Sequence, residues 1–193
     1  MYYFIPVFIV IAIAIFLVSS TGKGLTGEFA IRLLIGKNKP KKSKYVISDL
    51  EFNDGTHDVH VDHIVINTQG VHVIETQNLA GIIYGKESDT EWEQSLGHGK
   101  FKKKFYSPIK QNSGHIYSLK KVLNTDVPFF SYIVFTGRGS LAVKTVHVPV
   151  DYPLAFSQVL KTKKAQEVLD HKQAEALYHS ILALKKNNKA TKK

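Results

Sequence analysis

The stretch Gly55–Asn78, GTHDVHVDHIVINTQGVHVIETQN, determines how the chain folds. It contains two runs rich in β-branched residues, which strands prefer. The runs are separated by Thr68-Gln69-Gly70, a sequence typical of a tight turn because glycine accepts a positive φ. This pattern predicts two strands joined as a hairpin.

Two carboxylates interrupt the apolar runs of this hairpin. Asp62 lies in Val-Asp-His-Ile, and Glu75 ends Val-His-Val-Ile-Glu. A buried carboxylate costs several kcal/mol unless a cation, a metal or hydrogen-bond donors meet it. On paired neighbouring strands the two acids can converge on one point, and converging carboxylates suit a hard divalent cation such as Mg²⁺. The hairpin is therefore the predicted functional centre.

Length and composition limit the classes of protein to consider. The chain has 193 residues, 44% of them hydrophobic, which is enough for one globular domain and an appended segment. It has no cysteine, which excludes disulfides, thiolate catalysis and zinc-thiolate sites. The net charge of +10 indicates a polyanionic partner, either nucleic acid or an anionic membrane surface, although solubility alone explains it equally well.

The N-terminal run Tyr2–Val18 carries no charge. It predicts a short transmembrane helix, since about 17 apolar residues are the lower limit for a span. A cleaved signal peptide fits less well, because the run lacks a basic n-region and a clear Ala-x-Ala site. A buried core helix would need a face for solvent, which this run lacks. Basic residues follow the run and none precedes it, so the positive-inside rule predicts a single-pass cell-membrane protein whose soluble domain faces the cytoplasm.

The rest of the chain predicts an α/β domain with one mixed sheet covered by helices. The anchor is assigned to residues 1–21, the domain to 22–184 and a disordered basic tail to 185–193. The first predicted elements are a helix at 24–35, strands at 45–52 and in the two hairpin runs, and a strand at 79–85 that pairs with 91–93. A flexible basic loop at 97–104 and a helix that starts at Ser107-Pro108 follow. The last predicted elements are strands at 129–135 and 143–150 and closing helices at 152–160 and 165–184.

Four motifs in order carry a resemblance to a known family. Gly24–Glu28 resembles the Gly-x-x-Gly-Glu opening of the NERD (nuclease-related) domain, and Val61–Ile64 is similar to its Asp-His strand. Gly70–Asn78 is similar to its Gly-(V/I)-x-(V/I)-I-E-x-K-N strand, and Ser107–Gln111 to its Pro-x-x-Gln helix start. That domain belongs to the PD-(D/E)XK nuclease-like superfamily. The resemblance therefore implies an αβββαβ restriction-endonuclease-like core.

The resemblance also implies a chemistry and a set of site residues. The chemistry is hydrolysis of DNA phosphodiesters with Mg²⁺ or Mn²⁺ as cofactor. Asp62 and Glu75 would bind the metal, with the Thr76 carbonyl as a candidate third oxygen. Glu28 would hold a water of the metal or a second ion, and Gln111 would orient the site or contact phosphate. Two carboxylate oxygens plus waters is a common way to hold Mg²⁺.

One position departs from the family pattern. The lysine of the family's E-x-K motif is Gln77 in this chain. Glutamine can hydrogen-bond a water but cannot bring charge or act as a base, and losing such a donor typically costs about 10²–10³ in rate. Some restriction-type members of the superfamily tolerate glutamine there, and Lys86 or Lys110 is a candidate for a migrated charge.

Two other functions remain open for the chain. One is a catalytically impaired domain that binds nucleic acid or a protein partner at the membrane, and it is favoured by Gln77. The other is a basic membrane-surface module whose carboxylates are only structural.

Four histidines, His57, His60, His63 and His72, cluster along the hairpin and raise the question of a transition-metal site. His60 and His72 could share a face with Asp62, whereas strand alternation puts His63 on the opposite face. A hairpin with exposed histidines explains the cluster more simply.

Overall fold

The computed structural model describes residues 29–156 and 166–191, and the side chains up to residue 185. The predicted anchor at residues 2–18 and the predicted site residue Glu28 lie outside these ranges. In the part of the chain that the structure describes, no helix is both long enough and apolar enough to cross a bilayer.

The described chain is a mixture of strands and helices. The strands are β1 Tyr45–Asn53, β2 Asp58–Asn67, β3 Gly70–Gln77, β4 Gly81–Lys86, β5 Glu91–Leu96, β6 Phe101–Tyr106, β7 Phe129–Phe135, β8 Gly139–Lys144 and β9 Val150–Asp151. The helical segments are residues 29–35, the 3₁₀ turn Pro40–Lys42, the central helix Pro108–Leu123, residues 153–156 and the C-terminal helix His171–Thr191.

The predicted hairpin is the centre of a five-stranded sheet with the order β1-β2-β3-β7-β9. β1, β2 and β3 are antiparallel neighbours, and β7 runs parallel to β3. The hairpin closes at Asn67 and Gly70. Gly70 has a φ of 135°, and a Cβ there would lie 2.3 Å from the Pro128 carbonyl oxygen, so only glycine fits. The sheet is mixed, as expected, and β7 is enclosed by strands on both sides.

The prediction of a single sheet was wrong, because a second sheet has the order β6-β5-β4-β8. The segment 97–104 was expected to be a loop, yet Phe101–Tyr106 forms β6 beside β5. Ion pairs across these strands offset the charge of two lysines of β6. Lys102 pairs with Glu93 at 2.9 Å, and Lys104 pairs with Glu91 at 3.4 Å. The single strand expected at 143–150 is instead divided between β8 and β9, which belong to different sheets.

The two sheets are joined through one pair of parallel segments. Gln77 lies opposite Phe135 in the first sheet and Gly81 opposite Gly139 in the second, an offset of 58 residues in both. Between them, the Thr136 N–H donates to the Gln77 carbonyl at 2.9 Å. The β3–β7 pair therefore continues into β4–β8 without a change of register.

Helices cover both faces of the first sheet. One face packs against the central and C-terminal helices through Leu119, Ala174 and Ile181. The other packs against residues 29–35 and Phe156. A third cluster joins the second sheet to β7 and the central helix, and it contains Ile83, Trp92, Ile109, Ile133 and Phe135.

The C-terminal helix extends further than expected. It runs from His171 to Thr191, past residue 184, where the closing helix was expected to end. At residue 185 the lysine ammonium donates to the Asp49 carbonyl at 2.7 Å, which attaches this part of the helix to β1.

Candidate active site

The β2–β3 hairpin brings the two acids of the sequence motif together. His63 lies opposite Ile74, and the next position in this register sets Asp62 opposite Glu75. Asp62 Oδ2 accepts hydrogen bonds from the Thr76 backbone N–H at 2.8 Å and from the Thr76 hydroxyl at 2.6 Å. One oxygen of Asp62 is thus fixed by β3, while Oδ1 lies 3.3 Å from His60 Nε2.

Glu75 is also held through one oxygen. Its Oε1 accepts from Gln77 Nε2 at 3.1 Å and from Gln111 Nε2 at 2.7 Å. Gln111 comes from the central helix, which begins at Ser107-Pro108 as the sequence predicts. The helix is fixed to the sheet by buried Asn112, whose amide donates to the Val73 carbonyl at 3.0 Å.

The second oxygen of Glu75 has no hydrogen-bond donor among the residues that the structure describes. Oε2 is buried and lies 3.5 Å from His115 Nδ1, which is itself buried without a hydrogen bond. Glu75 is only 3% exposed. In the described chain, no lysine or arginine forms an ion pair with Asp62 or Glu75. Glu75 Oε2 and His115 Nδ1 are thus two buried polar atoms of the site without a hydrogen bond.

The electrostatics of the site follow from this geometry. Burial, together with the nearby Asp62 carboxylate, raises the pKa of Glu75 to about 8. Burial lowers the pKa of His115, against the opposing effect of the Asp62 charge. Asp62 is therefore close enough to Glu75 for the charge of one carboxylate to affect the other. A bound cation would stabilise both carboxylates in their ionised form.

A cavity of about 320 Å³ is lined by residues that contact these carboxylates, although neither carboxylate lines it. It is lined in part by His60, Tyr106, Lys110, Gln111 and His115. Of the two lysines considered for a migrated charge, Lys110 lines this cavity and Lys86 lines a different one on the second sheet. The geometry thus favours Lys110 as a source of positive charge at the site.

The sequence predicts most of the residues that lie together at this site, and one was missed. Asp62, Glu75, Thr76, Gln77 and Gln111 lie together, whereas Glu28 is outside the described residues. His115 was not predicted to take part. Its signal was its position four residues after Gln111, which puts both on one face of the helix.

The hairpin histidines only partly match their prediction. His57 and His60 are exposed, but His63 and His72 are buried, so the expectation of exposed histidines was wrong for these two. His63 bonds Ser48 at 2.8 Å. His72 lies on the face away from Glu75, against Tyr132 Oη at 3.2 Å, and does not share a face with Asp62.

Within the described ranges, no three His, Asp or Glu side chains converge as a metal-binding group. Mg²⁺ is commonly held by one or two carboxylates together with waters. The two half-satisfied carboxylates fit that pattern, since each has one oxygen fixed by the protein and one facing the neighbouring histidine.

Comparison with known proteins agrees with these motifs. The family model described as NERD, nuclease-related domain, matches residues 23–136. An uncharacterised protein of Bacillus anthracis is 32% identical over 168 residues, which cover 83% of this chain and 76% of that protein. No solved structure gives a significant match. The chain belongs to the NERD, or nuclease-related domain, family.

Proposed function

We propose that this protein is a divalent-metal-dependent nuclease that hydrolyses DNA phosphodiesters at the membrane. The observation that carries the proposal is the state of Glu75. Its Oε1 is held by two amides, while its buried Oε2 has no donor and lies beside a second acid. An ionised Glu75 in this arrangement destabilises the metal-free protein, and a bound cation would make the ionised form favourable.

The residues present fit Mg²⁺ or Mn²⁺. Asp62 and Glu75 would hold the metal through their remaining oxygens, with the Thr76 carbonyl as a candidate third ligand. A metal bound there would lower the pKa of a water and neutralise charge on the scissile phosphate. The anchoring bonds from Thr76, Gln77 and Gln111 fix the two carboxylates before the metal arrives, which reduces the cost of ordering them.

The chain's own residues would position the phosphate. Lys110 lines the cavity beside the carboxylates and supplies a positive charge there. Gln111 lines the same cavity and holds Glu75, so it can orient the carboxylate relative to a phosphate. Gln77 uses its amide on Glu75 and brings no charge, which is the main weakness of the site as a catalyst.

That weakness supports a second candidate function. A domain that has lost the lysine of the E-x-K motif can keep its metal and its basic surface while cutting slowly or not at all. In that case the protein would bind nucleic acid, or a protein partner, at the membrane without hydrolysing it.

A cleavage assay separates the two functions. The full-length chain in detergent is incubated with plasmid and with single-stranded DNA in Mg²⁺ or Mn²⁺. The nuclease is supported if the native chain cuts DNA, Asp62→Ala does not, and Asp126→Ala still does. Asp126→Ala is the control, because Asp126 is an exposed aspartate outside the site. Absence of cutting by the native chain, with DNA binding retained and cutting gained in Gln77→Lys, supports the impaired domain. Absence of both metal and DNA binding contradicts both.

The membrane location is part of the proposal. Its support is the uncharged run 2–18 and the lysines that follow it. Cell fractionation with the full chain and with a variant lacking residues 2–18 tests it. Recovery of both proteins in the soluble fraction would contradict the anchor.

A further inference from the structure

We propose that the cavity beside the two carboxylates is a subsite for one unpaired nucleotide, so that the preferred substrate is a single strand. This inference rests on the proposed nuclease function, and it names the form of nucleic acid that the site accepts. It is supported by three residues that line the cavity and also contact the carboxylates, by an exposed tyrosine that lines it, and by a glycine of the central helix that lines it.

The cavity is connected to the carboxylates through shared residues. Three residues that line the cavity also reach the acids: His60 to Asp62 at 3.3 Å, Gln111 to Glu75 at 2.7 Å and His115 to Glu75 at 3.5 Å. A phosphate held at the carboxylates would therefore lie near this cavity, which has room for the adjoining sugar and base. At about 320 Å³, the cavity is at the small end of ligand pockets. A paired base inside a duplex could not enter it without leaving the stack.

Tyr106 provides a surface on which a base can stack. Tyr106 lies on strand β6 and lines the cavity, and it is 55% exposed to solvent. Aromatic rings bind unpaired bases without strong sequence preference because every base has a π-face. Strand alternation puts Lys102 and Lys104 on the same face of β6 as Tyr106. Their pairs with Glu93 and Glu91 are exposed and therefore weak, so the lysines remain usable by a phosphate backbone.

Gly114 keeps the floor of the cavity open. It lies in the middle of the central helix, where glycine is less favourable than alanine. Packing does not explain it, because a Cβ built there would meet no atom within 4 Å other than its chain neighbours and the backbone of its own helix. Since Gly114 lines the cavity, the space above it is where a ligand would lie. A position that sacrifices helix stability without a packing reason fits a close approach by a ligand.

Binding assays on the full-length chain in detergent test the subsite. Fluorescence anisotropy without divalent metal, in EDTA, compares a labelled single strand of DNA, its duplex and an RNA strand of the same sequence. The native chain should bind the single strand more tightly than the duplex. Tyr106→Ala should weaken single-strand binding by about 5- to 100-fold, with a smaller effect on the duplex, and Tyr106→Phe should retain binding. The same Tyr106 dependence on DNA or on RNA supports the subsite, and the tighter of the two identifies the substrate.

A second pair of variants enlarges the side chain at Gly114 without removing a contact, and the larger of the two blocks the cavity. Gly114→Ala should raise Tm, since it improves the helix and meets no protein atom. Gly114→Leu should stay folded and lose single-strand binding about as much as Tyr106→Ala. The matched control is Tyr117→Ala, which removes a tyrosine 69% exposed on the same helix that does not line the cavity, and it should bind normally.

The outcomes distinguish this inference from the nuclease itself. Unchanged single-strand binding in both Tyr106→Ala and Gly114→Leu overturns the subsite, even if the native chain cuts DNA in an Asp62-dependent way. Equal losses on single strand and duplex overturn it as well. Losses confined to the single strand, in a chain that cuts nothing, leave the subsite standing and remove the hydrolysis.

Discussion

Two buried acids, Asp54 in the turn after β1 and Glu75 on β3, have opposite surroundings. Asp54 is 6% exposed, and Glu75 is 3% exposed. Asp54 accepts from the Thr56 backbone and hydroxyl at 2.9 and 2.5 Å, and from the His57 backbone at 3.1 Å. Its other oxygen accepts from Ser118 Oγ at 2.8 Å. These donors hold the pKa of Asp54 well below its usual range, whereas burial and Asp62 raise the pKa of Glu75 to about 8.

The comparison shows that the number of donors, and not burial, separates a structural acid from a candidate metal ligand. Asp54 has every oxygen occupied and fastens the β1–β2 turn to the central helix. Glu75 has one oxygen occupied and one without a donor. An ionised Asp54 stabilises the fold by itself, whereas an ionised Glu75 needs a partner that the described part of the chain does not supply.

The largest expected effect is on cleavage by Glu75→Gln. This change keeps the shape of the side chain but removes the charge that would hold the metal, so the rate should fall on the order of 10³-fold or more. The measurement is plasmid cleavage in Mn²⁺ at equal concentrations of folded protein. Asp54→Asn is the control and should retain its activity per folded molecule. Equal loss in both variants would break the distinction between the two acids.

A smaller effect is expected when the missing charge is restored. Gln77→Lys should raise the cleavage rate by about 10²-fold, because a positive charge beside Glu75 stabilises charge that develops in the transition state. The same assay measures it. Gln69→Lys adds an identical charge at the β2–β3 turn and should leave the rate unchanged. A gain from Gln69→Lys, or none from Gln77→Lys, would contradict the assigned role of position 77.

Asp54→Asn should lower thermal stability instead of activity. It weakens hydrogen bonds to a carboxylate and leaves Ser118 or backbone donors poorly paired, so Tm should fall by roughly 5–10 °C. Because the folded pKa of Asp54 is lowered, its contribution is present above the unfolded pKa and is lost as the pH falls through the folded value. Thermal melts at pH 7 and pH 3 measure it, with Asp126→Asn as the control. A variant as stable as the native chain at pH 7 would remove the structural role.

Glu75 should give the opposite pH dependence without metal. Its folded pKa is raised from 4.5 to about 8, so its contribution is present below pH 4.5 and is lost as the pH rises through 8. The free energy of unfolding in EDTA should fall by up to about 1.4 kcal/mol per pH unit in this window. Urea titrations between pH 5 and 8 measure it, and Mg²⁺ should reverse the loss at pH 8. Glu75→Gln should lack this slope. The same slope in both proteins would refute the coupling.

The sequence predicts the core of the site because its geometry is local. A tight turn at Gly70 sets the register of the hairpin, and the register alone places Asp62 opposite Glu75. Gln111 follows from a helix start that Ser107-Pro108 marks clearly. These inferences need only one turn and one cap, both of which have strong residue preferences.

What the sequence does not give depends on contacts between distant segments. The approach of His115 to Glu75 requires the position of the helix over the sheet, which buried Asn112 sets. β6 was expected to be a loop because its lysines suggest solvent, but its partner strand carries the matching acids. Burial of His63 and His72 was missed for the same reason, since their partners Ser48 and Tyr132 lie on other strands.

The unbroken register from β3–β7 into β4–β8 also constrains how the chain reaches its native state. Both strand pairs join segments 58 residues apart, and β5, β6 and the central helix lie entirely within that interval. Closing so long an interval into parallel strands is slow compared with forming the hairpin. A chain still emerging from the ribosome therefore holds β3 as an unpaired edge until residues 129–135 arrive. Any fragment that ends earlier carries Glu75 on an open edge strand and lacks the neighbour, β7, that encloses it.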